Sequence, residues 1–195
     1  MLIQKKEIIF SLSQAKIVSD AYNLKFIDRN STIRSVDNLT SLVKQELNKN
    51  IEVLLMDLSH NGQAVRSFYV AYDDKYEVVL LEGQNPCWNR FTLCKELFHV
   101  LLDTDEYRNI DIDAHVDEVK NTFYVDDSEP NLPATSEELA EIAAMEFLFP
   151  YVSRKEELTG VPLEFKAIAE KYKVPQVLVE QYLSVSYIDA LNVED

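Results

Sequence analysis

Residues 90–102, Arg-Phe-Thr-Leu-Cys-Lys-Glu-Leu-Phe-His-Val-Leu-Leu, constrain this chain more than any other stretch. Phe91, Cys94, Leu97, Phe98, Leu101 and Leu102 recur at the i, i+3, i+4, i+7 spacing of a buried helical stripe. At about 100° per residue, Lys95, Glu96 and His99 occupy a single arc about 100° wide beside that stripe. The fold must therefore cover one side of this helix while keeping two charges and an imidazole next to the covered side.

The surrounding sequence supplies the covering elements. Residues 9–22 and 36–48 read as surface helices, with Leu39, Leu42, Val43 and Leu47 on one face of the second. Ile51–Leu58 is an apolar run of strand length, and His60-Asn61-Gly62 follows as a turn. Ser67–Leu81 reads as a hairpin of two strands joined by Asp73-Asp74-Lys75. A Gly-Gln-Asn-Pro loop (83–86) precedes the central helix, for which Asn89 is the expected cap. Residues 103–135 form an irregular acidic segment. An apolar-rich helix over 136–149 ends at Pro150, and 161–191 reads as two short helices broken near Val174-Pro175. Runs of strands and runs of helices in this order predict an α+β fold. The expected organisation is an N-terminal helical segment (1–34), a central domain (35–160) and a helical tail (161–195) packed on it.

Composition bounds the possibilities. In 195 residues with 47% apolar content there is material for one ordinary domain. No apolar run is long enough to span a membrane, and Met-Leu-Ile-Gln-Lys-Lys-Glu does not have the form of a secretory signal. Two cysteines, Cys87 and Cys94, suggest no disulfide framework, so a reducing, cytoplasmic home is expected. The net charge of −15 argues against nucleic acid as the main partner. The acidic segment 103–135 holds ten acids against Arg108 and Lys120, and reads as a solvated loop.

The polar arc has the spacing of the metal-binding motif His-Glu-x-x-His with its first histidine exchanged for Lys95. In that motif two imidazoles one turn apart hold Zn²⁺ and the Glu acts as general base. A protonated lysine has no lone pair to offer a metal. A third ligand would come from Thr135–Pro150, where Thr135 and Glu138 have capping-box spacing and Glu137 is freer to face the site. Acids also favour the first turn of a helix for its dipole alone, which is the plainer reading of both. His60 and His115 are the remaining imidazoles. His115, in the segment linking the two helices, is the better placed as a remote extra ligand, although an exposed loop histidine is its ordinary reading. Cys94 lies on the apolar side and reads as a small buried hydrophobe.

The run Trp88–Asp103 resembles the ImmA/IrrE metallopeptidases, whose pattern is roughly Arg-Phe-Thr-x-x-His-Glu-x-x-His-x-Leu. Glu137–Pro150 is similar to their second motif, Glu-x-x-Ala-Asn-x-x-Ala-x-x-Leu-Leu-x-Pro, through Ala140, Ala144, Leu148 and Pro150, with Glu141 in place of Asn. The resemblance spans roughly residues 35–185. It implies a zincin-like domain with a small antiparallel sheet packed on the site helix, and intracellular zinc endopeptidases of mobile elements or stress circuits that cut a repressor. Carried over, Glu96 would be the general base, and His99 and Glu137 metal ligands; Lys95 matches nothing functional. With one ligand missing, the expected cofactor is none or weakly bound zinc.

Lys95 has a physical role of its own in this reading. Beside Glu96, one turn from His99 and with Glu137 expected opposite, its ammonium would stand as a counter-ion in place of a metal. The favoured expectation is a degenerate, regulatory protein that grips a repressor-like or toxin-like partner. An active zinc endopeptidase is the alternative. A DNA-associated regulator acting through Leu163–Tyr172 and Pro175–Leu183 is the weakest.

Overall fold

The computed structural model describes residues 5–26, 33–57, 66–102, 132–159 and 162–184. In chain order these form α1 (Lys5–Phe26), α2 (Val36–Leu47), β1 (Asn50–Met56), β2 (Ser67–Ala71), β3 (Lys75–Leu81), α3 (Pro86–Leu102), α4 (Leu132–Leu148), α5 (Tyr151–Leu158), α6 (Phe165–Tyr172) and α7 (Gln176–Tyr182). The α+β class is as expected from the sequence. Among the described residues no helix is long and apolar enough to cross a membrane.

The sheet is mixed, in the order β1-β3-β2, which corrects the expectation of an antiparallel one. β2 and β3 form the expected hairpin, with Tyr69 opposite Val78 and Ser67 opposite Leu80. β1 pairs with the other side of β3 in parallel, Asn50 opposite Lys75 and Met56 opposite Leu81. The reason lies in β3. Val78, Val79 and Leu80 are all buried, so this strand is central, and a tight turn commits one of its edges to β2. β1 takes the opposite edge, running the same way as β3.

α3 begins earlier than expected. Pro86 opens it, and Asn85 accepts the Trp88 N–H through its side-chain oxygen at 3.0 Å. Proline suits the first helical position because its missing N–H has no partner there anyway. Asn89 therefore lies inside the helix and is not its cap. From Pro86 the apolar stripe runs as predicted: Phe91, Cys94, Leu97, Phe98 and Leu102 are buried, and Leu101 is half-buried. Tyr76, Val78 and Leu80 of β3 share its core.

α4 likewise starts at Leu132, so Thr135 lies within the helix and cannot be an N-cap partner for Glu138. α1 lies across α4, tied by the buried Ser11 hydroxyl donating to the Leu139 carbonyl at 2.6 Å. α5, absent from the sequence reading, follows Pro150 directly. The two tail helices break at Val174-Pro175 as expected, and Ile168, Tyr172, Leu178, Val179 and Tyr182 sink into the common core. The Arg90 guanidinium fastens this end of the molecule. It donates to the carbonyls of Tyr172 and Lys173 (both 3.1 Å) and of Arg34 (2.6 Å), joining α3, the α6 terminus and the entry to α2.

Candidate metal centre

Strand and helix periodicities assemble the site. Ser67 and Tyr69 are two apart on β2, opposite Leu80 and Val78, so they share the sheet face that meets α3. Glu96 and His99, three apart, share the α3 polar arc. Each strand residue meets one helix residue. The Ser67 hydroxyl donates to Glu96 Oε1 at 2.6 Å, and the Tyr69 ring stacks on the His99 imidazole, centroids 6.2 Å apart. Glu96 is 1% exposed and His99 6% exposed, so their positions are fixed by packing.

α4 closes the other side. Glu137 Oε2 accepts from Lys95 Nζ at 2.5 Å, and Glu137 Oε1 lies 3.1 Å from His99 Nε2. The Nε2 contact is an electrostatic one, and this buried nitrogen makes no hydrogen bond. Lys95 Nζ is also 3.5 Å from Glu96 Oε1. Ser136 Oγ stands 3.4 Å from His99 Nδ1, and one turn further along α4 Glu141 accepts from the Tyr182 hydroxyl at 3.2 Å. The structure thus gathers Lys95, Glu96, His99 and Glu137 into one cluster. His60 and His115 lie outside the described residues.

The electrostatics follow from who faces whom. Burial works against the Lys95 ammonium, but the carboxylates of Glu137 and Glu96, with the Glu137 hydrogen bond, overrule it and hold its affinity for the proton above the usual lysine value. Burial alone would raise Glu137. Lys95 and His99 reverse that and keep its carboxyl well below the usual carboxylate range. Glu141 is pushed up by burial, with Lys95 offsetting part of the effect. Cys94 is fully buried and its thiol is driven up by desolvation, which suits a hydrophobe and not a ligand.

Among the described residues, the donor set does not fit a zinc ion. A tetrahedral centre needs at least three protein donors. Here an ammonium stands beside Glu137, 2.5 Å from the carboxylate. That leaves His99 Nε2 and Glu137 Oε1. Among the described residues no group of three His, Cys, Asp or Glu side chains could hold a metal ion.

Sequence reasoning missed Ser67. A polar residue on the inward face of a hairpin strand was the available signal, since a hydroxyl there needs a buried partner. The pairing of Glu141 with Tyr182 was also missed, because it joins positions 41 apart.

A family model described as the IrrE N-terminal-like domain matches residues 48–184. No curated protein matches the chain.

Proposed function

The chain belongs to the family of IrrE N-terminal-like domains and has a metallopeptidase fold, and we propose that it is degenerate at the metal site and works by binding. In this reading it is an intracellular regulatory protein of a mobile-element or stress circuit. It grips a repressor-like or toxin-like protein on the surface where α3, α4 and β2 meet without cutting it. Lys95 is the internal counter-ion that stands against the Glu137 carboxylate in place of zinc, and the observation that carries this is the Lys95–Glu137 ion pair at 2.5 Å. An ammonium in that position both removes a ligand and repels a divalent cation. Glu96, the residue a peptidase would use as general base, has one oxygen committed to Ser67 and Lys95.

Elemental analysis tests the reading directly. Wild type dialysed against metal-free buffer is expected to hold far less than one zinc per chain, and stoichiometric zinc would overturn the proposal. Lys95→His, which completes the ligand pattern, is expected to bring zinc to about one per chain. If it does not, the assignment of His99 and Glu137 to one metal site is wrong.

The alternative, an active zinc endopeptidase, is favoured by one observation: His99 Nε2 is buried without a hydrogen bond and lies 3.1 Å from Glu137 Oε1, so an imidazole nitrogen and a carboxylate oxygen stand side by side. Incubating wild type and Glu96→Gln with the protein encoded beside it separates the two. Cleavage by wild type alone supports the peptidase. Equal binding by both, with no cleavage, supports the regulator.

A further inference from the structure

Helix α1 carries two rows of apolar residues on faces about 130° apart, and the described residues cover one of them. Ser11, Ala15, Val18 and Tyr22 are buried on the inner side. On the outer side Phe10, Ile17 and Leu24 are 37%, 60% and 84% exposed, and Ile9 beside them is 49% exposed. Spaced seven apart, the three fall within about 40° of one another around the helix and form one stripe. Single exposed hydrophobics need no explanation, but a row along one helix face marks a surface that another element covers. This helix precedes residues 48–184, the stretch matched by the family model, so the face is no part of the matched region.

We propose that the outer face of α1 docks against the same face of a second copy of the chain, the two helices antiparallel about a two-fold axis at Ile17. The stripe is spaced evenly about its middle residue. The rotation that sets Ile17 on its own equivalent brings Phe10 against Leu24 of the other copy, and Leu24 against Phe10, so the face is complementary to itself. The charges agree. Lys16 and Asp20 flank the stripe on one side, highly exposed and paired with each other at 2.6 Å. Under the same rotation Asp20 of the other copy comes level with position 14, about 3 Å along the axis from Lys16. Each Lys16 then has a second carboxylate within reach, twice per dimer. Repulsion also favours this face. The chain carries a net −15, yet residues 1–50 hold eight Lys or Arg against five acids, so two copies meet here away from the acidic remainder.

Sedimentation equilibrium of the full chain over a concentration series provides the test, with circular dichroism confirming that each variant is folded. Wild type is expected to show a monomer–dimer equilibrium. Ile17→Glu, which places two like charges on the axis, should raise the dimer Kd by about a hundredfold or more. Lys16→Glu and Asp20→Lys should each raise it roughly three- to tenfold, because two exposed pairs are lost per dimer. The double variant Lys16→Glu/Asp20→Lys should return to the wild-type Kd, since both charges belong to a surface that meets itself. Leu55→Glu, on the exposed outer strand β1, should leave the equilibrium unchanged. A wild-type chain that stays monomeric at every concentration would overturn the proposal. So would a dimer indifferent to Ile17→Glu, a double variant without rescue, or a dimer lost on Leu55→Glu.

Discussion

Replacing Lys95 by methionine isolates the energetics of the site. The substitution keeps an unbranched side chain one atom shorter and removes the charge, leaving Glu137 and Glu96 without the ammonium that both contact. Breaking a fully buried ion pair by removing one partner costs about 3–5 kcal/mol, whereas an exposed pair is worth about 0–1 kcal/mol. The present pair lies between these limits. The Lys95 side chain is 14% exposed and that of Glu137 34%, so the orphaned carboxylate recovers part of its hydration. About 2 kcal/mol is the expected loss at neutral pH, equivalent to a fall of roughly 4–8 °C in Tm for a domain of this size. The pH dependence gives the sign. In wild type the Glu137 carboxyl is held well below its ordinary value of 4.5, so it contributes stability that is present above about pH 4.5 and is lost as pH falls through the depressed folded value. Methionine at 95 removes that contribution, and the stability gap between variant and wild type should close on acidification. Urea titrations at pH 7 and at successively lower pH measure it, and Lys95→Met/Glu137→Gln should regain most of the loss at pH 7 by neutralising both partners. Equal stability of Lys95→Met and wild type at pH 7, or a loss that does not change with pH, would refute the counter-ion argument.

Three further substitutions probe the frame around the site. Ser67→Ala removes the hydroxyl 2.6 Å from Glu96 Oε1 and should cost about 1–3 kcal/mol in urea unfolding, because the carboxylate stays buried without its donor. Glu146→Ala strands the Arg154 guanidinium, which is 1% exposed and bonded to Glu146 at 2.5 Å; a loss of about 3–5 kcal/mol is expected, and less than 1 kcal/mol would contradict the burial. Arg90→Lys should lower stability by on the order of 2 kcal/mol, since an ammonium cannot span three carbonyls on two other segments as the planar guanidinium does.

The parts of the fold written in local periodicity were legible in the sequence. The α3 stripe from Phe91 to Leu102, the β2–β3 hairpin and the break at Val174-Pro175 depend on neighbours a few residues apart, and the structure places each where its pattern indicates. Helix starts were read less well. Asn89 and Thr135 both look like caps, yet the helices start at Pro86 and Leu132, upstream of an acceptable cap. The direction of β1 was not legible at all. Alternation within a strand reports which face is covered and carries no information about which way its neighbour runs. At the site, Lys95, Glu96 and His99 announced themselves by sharing one helix arc, and Glu137 by its place in a second motif. Ser67 and the Tyr182–Glu141 bond did not, because their meaning exists only after separate elements have packed.

The cation beside Glu137 is joined to the backbone, and this changes what the protein's stability depends on. A dissociable ion stabilises a fold by RT ln(1 + [L]/Kd), a quantity that rises and falls with the supply of the ion. A side-chain ammonium has no free concentration, so its contribution is constant under dilution, under chelation and through any swing in cellular zinc. It enters instead through the unfolded chain, where Lys95 is hydrated by water and must give up that hydration each time the domain folds. On the proposed reading, the site keeps one shape whether the metal is scarce or abundant.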